Sequence, residues 1–391
     1  MAIFTKVMLV IWLLMILVLA LLIFRITSLS NPTDLQHQDP IVDVFAITSP
    51  ASRLSYDFYR NSCPAAEEVV WTMMSQIVSE HKDVPPALLR LFFHDCFIQI
   101  PCINLVDVFW INAIQGCDGS VLLNSSSNPN STAERTAIPN RTLRGFNHID
   151  AIKEAVEKIC PGVVSCADIL ALATRDGVVQ IGGPYYPVLT GRRDSKISYF
   201  NEATNHIPRP TDNVTQFLRA FAQRGFNARE TVALLGAHNI GRMGCGVIRA
   251  RFNFSGTGNP DPSIPADLLN EMRRRCPDQD QVNSESPSPA PSSDSSAVPA
   301  KSNNNSMPNG EKFDAHFYKN LLKGRGLIFS DQQLTARGTT SRIVRAYASD
   351  DGGEQAFRRD FARAMIKLSN LNVLTGDEGE IRLSCSLPRN T

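Results

Sequence analysis

The chain has 391 residues, with 39 basic and 38 acidic groups, a formal charge of +1 and 43% hydrophobic residues. So balanced a charge lacks the field that holds a polyanion, which argues against nucleic-acid binding; 23 glycines and 24 prolines are too few for a collagen-like or wholly disordered chain. Nine cysteines is an odd number, so in an oxidising compartment one of them lacks an intramolecular partner.

In chain order, the first element is the apolar run Val7–Phe24, 18 residues between Lys6 and Arg25. It exceeds the usual signal-peptide core and just reaches membrane-spanning length, and Ile26-Thr27-Ser28-Leu29-Ser30 after it carries no clear cleavage pattern. Residues 1–26 therefore read as a signal peptide or an uncleaved signal anchor. Either sends the remainder into the secretory pathway, as an extracellular or cell-wall protein or as a type II protein anchored through residues 7–24. Sequons at Asn124, Asn130, Asn140, Asn213, Asn253 and Asn304 point the same way. Residues 27–53, mixed and aperiodic, read as a tether to a body spanning 54–391.

Within that body, apolar residues recur at three- and four-residue spacing over Ala65–Val78, Ile149–Ile159, Cys166–Thr174, Val214–Gln223 and Phe357–Leu368, which predicts helices there. Cys160-Pro161-Gly162 and Gly182-Gly183-Pro184 supply stops. Few runs alternate with period two, so the expected fold is mainly α with long loops and little β. Two stretches break this texture. Residues 281–310 hold nine serines, five prolines and five asparagines, too little apolar surface to offset ordering entropy, and are expected to be a disordered loop. Residues 100–115, IPCINLVDVFWINAIQ, form a strongly apolar segment directly after the motif richest in functional side chains.

That motif is Pro86-Ala87-Leu88-Leu89-Arg90-Leu91-Phe92-Phe93-His94-Asp95-Cys96-Phe97. Prolines open a helix on which Arg90 and His94, four apart, share a face. A guanidinium and an imidazole amid Leu and Phe are costly to bury unless they have a task, although spacing alone suits an ordinary surface pair equally well. A second motif is Leu234-Leu235-Gly236-Ala237-His238-Asn239-Ile240-Gly241. A lone histidine ending an apolar helix is commonly a satisfied core residue; glycines on both sides suggest that something flat or bulky approaches the backbone, and an axial haem ligand fits.

From Leu54 to Cys385 the chain resembles the class III secretory haem peroxidases of plants, through YDFYRNSCP, LRLFFHDCF, GCDGSVLL, LRGFNHIDAIKEAVEKICPGVVSCADILALATRD, TGRRDS, LLGAHNIG, FSDQQL and LNVLTGDEGEIRLSC in that order. The resemblance implies an all-helical body with haem b between a distal and a proximal half. It implies a reaction in which hydrogen peroxide is reduced and small phenolic donors are oxidised by one-electron steps at the haem edge. His94 would move a proton from the near to the far peroxide oxygen, and Arg90 would stabilise the developing charge. Phe93 would pack over the haem face, and Asn140 would accept a hydrogen bond from His94, leaving its own sequon unglycosylated. His238 would be the axial ligand with Asp331 as its carboxylate partner, and Pro208 would bind the donor.

Calcium is implied as well. Asp95, Asp118, Ser120, the Gly116 carbonyl and, through water, Glu134 match a distal site, with a further carbonyl from Ile98 or Ile114; Asn239 and Asp314 match only part of a proximal one. The implied disulfides are Cys63–Cys160, Cys96–Cys117, Cys166–Cys385 and Cys245–Cys276, leaving Cys102 inside the apolar segment. Where the family places four residues between the second pair, twenty stand here. The segment is open to three readings: an artefact of the gene prediction, an extruded loop that leaves the site competent, or an insertion that impairs distal calcium. The rival to a monomeric enzyme is a membrane-tethered, catalytically weakened relative acting as a cell-wall binding protein. Intracellular peroxidases of the same superfamily fit the apolar N-terminus and the eight placed cysteines less well.

Overall fold

Apolar spacing at three and four residues generates thirteen α-helices in the described residues of this computed structural model, which are 54–98, 116–124, 133–277 and 306–389. The apolar run at 7–24, the tether and the segment at 100–115 with Cys102 lie outside them. The helices are α1 (Ala66–Glu80), α2 (Val84–Phe97), α3 (Phe146–Ile159), α4 (Cys166–Gln180), α5 (Phe200–His206), α6 (Val214–Ala222), α7 (Ala228–Leu235), α8 (Cys245–Ile248), α9 (Ala266–Arg275), α10 (His316–Leu322), α11 (Phe329–Gln332), α12 (Gly338–Ala348) and α13 (Gly353–Ser369). All five helices expected from periodicity form. No helix among the described residues is long and apolar enough to cross a membrane.

Two helical groups share one apolar core. In the first, α4 lies against α1 and α2, and α1 against α3; in the second, α7 packs on α13 and α10 on α12, with α13 also touching α2. Every residue of α4 from Cys166 to Val178 is buried. Such a helix needs an apolar surface all round, which its run of Ala, Ile, Leu and Val supplies. Its length exceeds the periodic stretch Cys166–Thr174 because the polar residues that follow are paired inside the protein: Arg175 donates to Asp176 at 2.5 Å and to Glu67 at 3.1 Å.

Side-chain caps set several helix starts. Ser165 accepts from the Asp168 amide at the head of α4, while Asn213 and Asn227 form capping boxes with Gln216 and Glu230. The four expected disulfides are all formed. Cys166–Cys385 ties the first turn of α4 to the C-terminal segment, and Cys245–Cys276 joins α8 to the end of α9.

The disordered loop expected at 281–310 does not extend to its end. Ser306–Gly310 is a strand, β2, paired antiparallel with β1 (Gly241–Gly244). Composition misses it because a two-stranded ladder is held by backbone groups that any residue carries. Met307, 3% exposed, is its apolar anchor in a small cluster with Ile248, Leu268 and Met272.

Candidate active site

Helix α2 starts with Pro85 and Pro86 in its first turn, where absent amide protons break no intrahelical bond. One turn on, Arg90 donates to the Pro139 carbonyl at 3.0 Å and to Thr142 Oγ1 at 3.0 Å. His94, 5% exposed, directs Nδ1 at Asn140 Oδ1 at 2.7 Å. Asn140 Nδ2 in turn donates to the Glu134 carbonyl at 2.9 Å, so the amide oxygen faces the ring, Nδ1 carries the proton and Nε2 keeps a lone pair. With both amide atoms engaged and the residue 2% exposed, the Asn140 sequon has no room for a glycan.

Burial first, then the positive charge of Arg90, hold the His94 pKa down to about 3, so the ring is neutral over the ordinary range. Arg90 is solvent-accessible, yet burial and the neighbouring Arg144 hold its own pKa down to about 10.

The other histidine sits on the 3-10 turn Gly236–Asn239 that follows α7. His238 Nδ1 lies 2.8 Å from Asp331 Oδ1, and Asp331 is buried at the start of α11. Burial favours the neutral ring, but the Asp331 carboxylate outweighs it and raises the pKa. The charge of Arg90 lowers the pKa of His238 as it does that of His94. The flanking glycines serve packing instead of ligand approach. A Cβ on Gly236 would collide with Tyr318 and Phe357, and one on Gly241 would lie 2.7 Å from Pro86. What approaches the backbone here is the protein's own α10, α13 and α2.

Phe93 is partly exposed beside His94, and its ring stacks on Phe97 at 4.6 Å. Pro208, half-buried, follows α5 and the extended Ile207. The donor set suits a planar iron porphyrin: an imidazole lone pair on one side, with its other nitrogen held by a carboxylate, and a neutral imidazole with a guanidinium on the other.

Beside His94, a second group of residues fits a hard cation. Asp95, Asp118 and Glu134 are buried, and Asp118 Oδ2, Ser120 Oγ and Glu134 Oε2 have no hydrogen-bond partner. Burial and then Asp118 push Asp95 up to about 7, burial pushes Asp118 up to about 6, and burial raises Glu134 well above the usual carboxylate range. Acidic oxygens that are buried, mutually repelling and unpartnered are what a calcium ion would relieve. No three Asp, Glu, His or Cys side chains among the described residues could by themselves hold an ion, which suits a site that also draws on a hydroxyl and backbone carbonyls. Gly116 is positioned by the hydrogen bond its amide N–H donates to the Asn372 carbonyl at 3.1 Å, and a side chain there would strike the Cys96 carbonyl. The Ile98 carbonyl instead faces His206 Nδ1 at 2.6 Å, and Ile114, the alternative, lies outside the described residues.

Residue spacing gave no sign of Arg382. This fully buried guanidinium donates to the Gly119 carbonyl at 2.6 Å and lowers the pKa of both Asp95 and Asp118. It lies 263 positions from Gly119, so only folding brings it there.

The proximal residues do not fit calcium. Asp314 Oδ1 accepts from the His316 amide at 2.8 Å and is also engaged by His316 Nδ1, while the Asp314 carbonyl accepts from Asn239 Nδ2 at 2.8 Å. Among their buried side-chain oxygens only Asn239 Oδ1 is unpartnered, far short of the six to eight oxygens calcium takes.

A family model described as Peroxidase matches residues 70–350. Putative Peroxidase 48 of Arabidopsis thaliana is 41% identical over 380 residues, covering 90% of this chain and 89% of that protein. Peroxidase 1 of Arabidopsis thaliana is 39% identical over 337 residues, covering 86% and 92%, and Peroxidase N1 of Nicotiana tabacum 40% identical over 347 residues, covering 88% and 93%. The family match runs through both histidine motifs, and the membrane-tethered alternative finds no support. The chain belongs to the class III haem peroxidases of plants and is an enzyme of that kind.

Proposed function

We propose that Arg90, His94 and Asn140 form the distal catalytic group, that His238 with Asp331 holds haem b, and that small phenols are oxidised beside Pro208 in an extracellular compartment. One observation carries the reading: each of the two imidazoles has Nδ1 fixed by its own partner, Asn140 for His94 and Asp331 for His238, which leaves both Nε2 atoms free for chemistry. Bound haem would supply the redox chemistry, taking up the oxidising power of peroxide and drawing one electron from each of two donors.

The chain's own work is proton handling and charge placement. Neutral His94 accepts through Nε2 the proton of the peroxide oxygen nearer the iron and returns it to the farther oxygen as the O–O bond breaks, so that water can leave. Arg90, held by Pro139 and Thr142, meets the negative charge that develops on the departing oxygen. The Asp331 carboxylate accepts from His238 Nδ1 and makes Nε2 a stronger donor to iron. A phenol at the cleft edge would donate its hydroxyl proton to the Pro208 carbonyl. Asp95, Asp118, Ser120, the Gly116 carbonyl and Glu134 would hold one calcium ion next to the distal helix.

Secretion follows from the apolar N-terminus and from four disulfides, which form and persist in oxidising compartments. The test is to express the chain from Leu54, load it with haem, and measure peroxide-dependent phenol oxidation for the wild type and His94→Ala. The expected result is a Soret band in both and a loss of about 100-fold or more in kcat/KM for peroxide in the variant. Equal activity in the two proteins, or no haem uptake by the wild type, would overturn the reading.

A further inference from the structure

The segment on the C-terminal side of His238 is tied together by hydrogen bonds within the protein. Beyond the turn that carries His238, β1 runs antiparallel to β2, with Gly241 opposite Gly310 and Gly244 opposite Ser306. Gly310 lies against the Asn239 carbonyl and the His316 ring so closely that a Cβ there would collide with both, so the space between them is filled by backbone. His316 then spans the segment: Nδ1 meets the Asp314 carboxylate, and Nε2 lies 2.7 Å from the Asn309 carbonyl. Asn239 Nδ2 completes the closure on the Asp314 carbonyl at 2.8 Å. The residue after His316, Phe317, sets its ring edge-on to His238, with centroids 6.3 Å apart.

We propose that His316 replaces the proximal calcium ion, clamping Asn309 and Asp314 so that the 306–317 segment is held against the His238 turn without metal. A calcium ion would act there by gathering oxygens from two segments of chain. Here the same two segments are gathered by a ladder of backbone hydrogen bonds, by Asn239, and by an imidazole with an oxygen partner at each nitrogen. Asp314 Oδ1 and the Asp314 and Asn309 carbonyls are already engaged, which leaves Asn239 Oδ1 as the one buried side-chain oxygen of the pair without a partner, and Gly310 packs into the space between the two segments.

Calcium content tests this directly. The haem-loaded wild type is dialysed into calcium-free buffer and analysed by atomic emission, beside Asp118→Ala, which removes a distal ligand. One calcium per chain is expected in the wild type and none in Asp118→Ala. Two per chain in the wild type, or any calcium retained by Asp118→Ala, would overturn the proposal. As a second measurement, His316→Ala is melted with and without millimolar calcium. The clamp predicts a Tm lower by about 5 °C or more that added calcium does not restore. An unchanged Tm, or one restored by calcium, would count against it. Should His316→Ala fail to fold, the wild-type and Asp118→Ala calcium counts still decide the matter. Neither measurement depends on turnover, so a failure here is distinct from a failure of the catalytic assignment.

Discussion

His94 and His238 are the same residue type with opposite proposed tasks, and the difference lies in what Nδ1 meets. A neutral amide oxygen at Asn140 fixes the tautomer without adding charge, which suits His94 to the proposed role of base, whereas the Asp331 carboxylate adds negative charge, which suits His238 to the proposed role of ligand. Arg90 depresses both rings, and at His94 it reinforces burial in holding the pKa to about 3. The sign of a pH effect follows. His94 works as a base only when neutral, so kcat/KM for peroxide should fall on the acid side as pH drops through that pKa. In Arg90→Leu one of the two depressing causes is gone, and the acid limb moves to higher pH. The plateau also falls, by about 100-fold, because the stabilising charge is lost. Stopped-flow pH profiles of both proteins check this; an acid limb that stays in place would show that Arg90 does not act on His94.

Among the elements, α4 carries a buried carboxylate that ties distant parts of the chain together. Asp168 on its first turn receives Arg192 Nη1 at 2.7 Å, Tyr59 Oη at 2.7 Å and the Gly191 amide at 2.7 Å, all buried. Arg192 continues to the Ser369 carbonyl at the end of α13, so one carboxylate links α4, the strand-like 190–194 segment and the second helical group. Removing one partner leaves a buried guanidinium uncompensated, which typically costs about 3–5 kcal/mol. Asp168→Ala should therefore lose stability on that scale in a denaturant titration, while Asp57→Ala, at an exposed site, should change it little. The helix itself is visible in the sequence as an apolar run. Its pairing is not, because Arg192 and Ser369 lie 24 and 201 positions away from Asp168, and hydrophobic periodicity carries no record of contacts at that range.

For the whole molecule, the covalent frame sets how loosely the unfolded chain can range. Cys166–Cys385 spans 219 positions and closes the largest loop of the four. On chain-entropy grounds such a closure contributes about 5 kcal/mol. The double variant Cys166→Ala/Cys385→Ala should thus show a larger Tm loss than Cys245→Ala/Cys276→Ala, whose loop spans 31 positions. Expression in an oxidising compartment should raise the yield of wild type and leave the first double variant poor. The same bond fixes the C-terminal segment that delivers Arg382 to the acidic cluster, so its loss should also weaken calcium retention.

The amino-acid order by itself determined the five periodic helices, the histidine and arginine on one helix face, the eight cysteines that pair and the family to which those motifs belong. These are local patterns, or matches of motif order, and both are written along the chain. Folding alone decided that Arg382 would stand beside the acidic cluster, that Gly236 and Gly241 admit Tyr318 and Pro86, and that Ser306–Gly310 becomes a strand. It alone turned Asp314 to His316. Each of these depends on which distant group arrives at a given point, and that is set by the packing of the helices and not by the spacing of residues along any one of them.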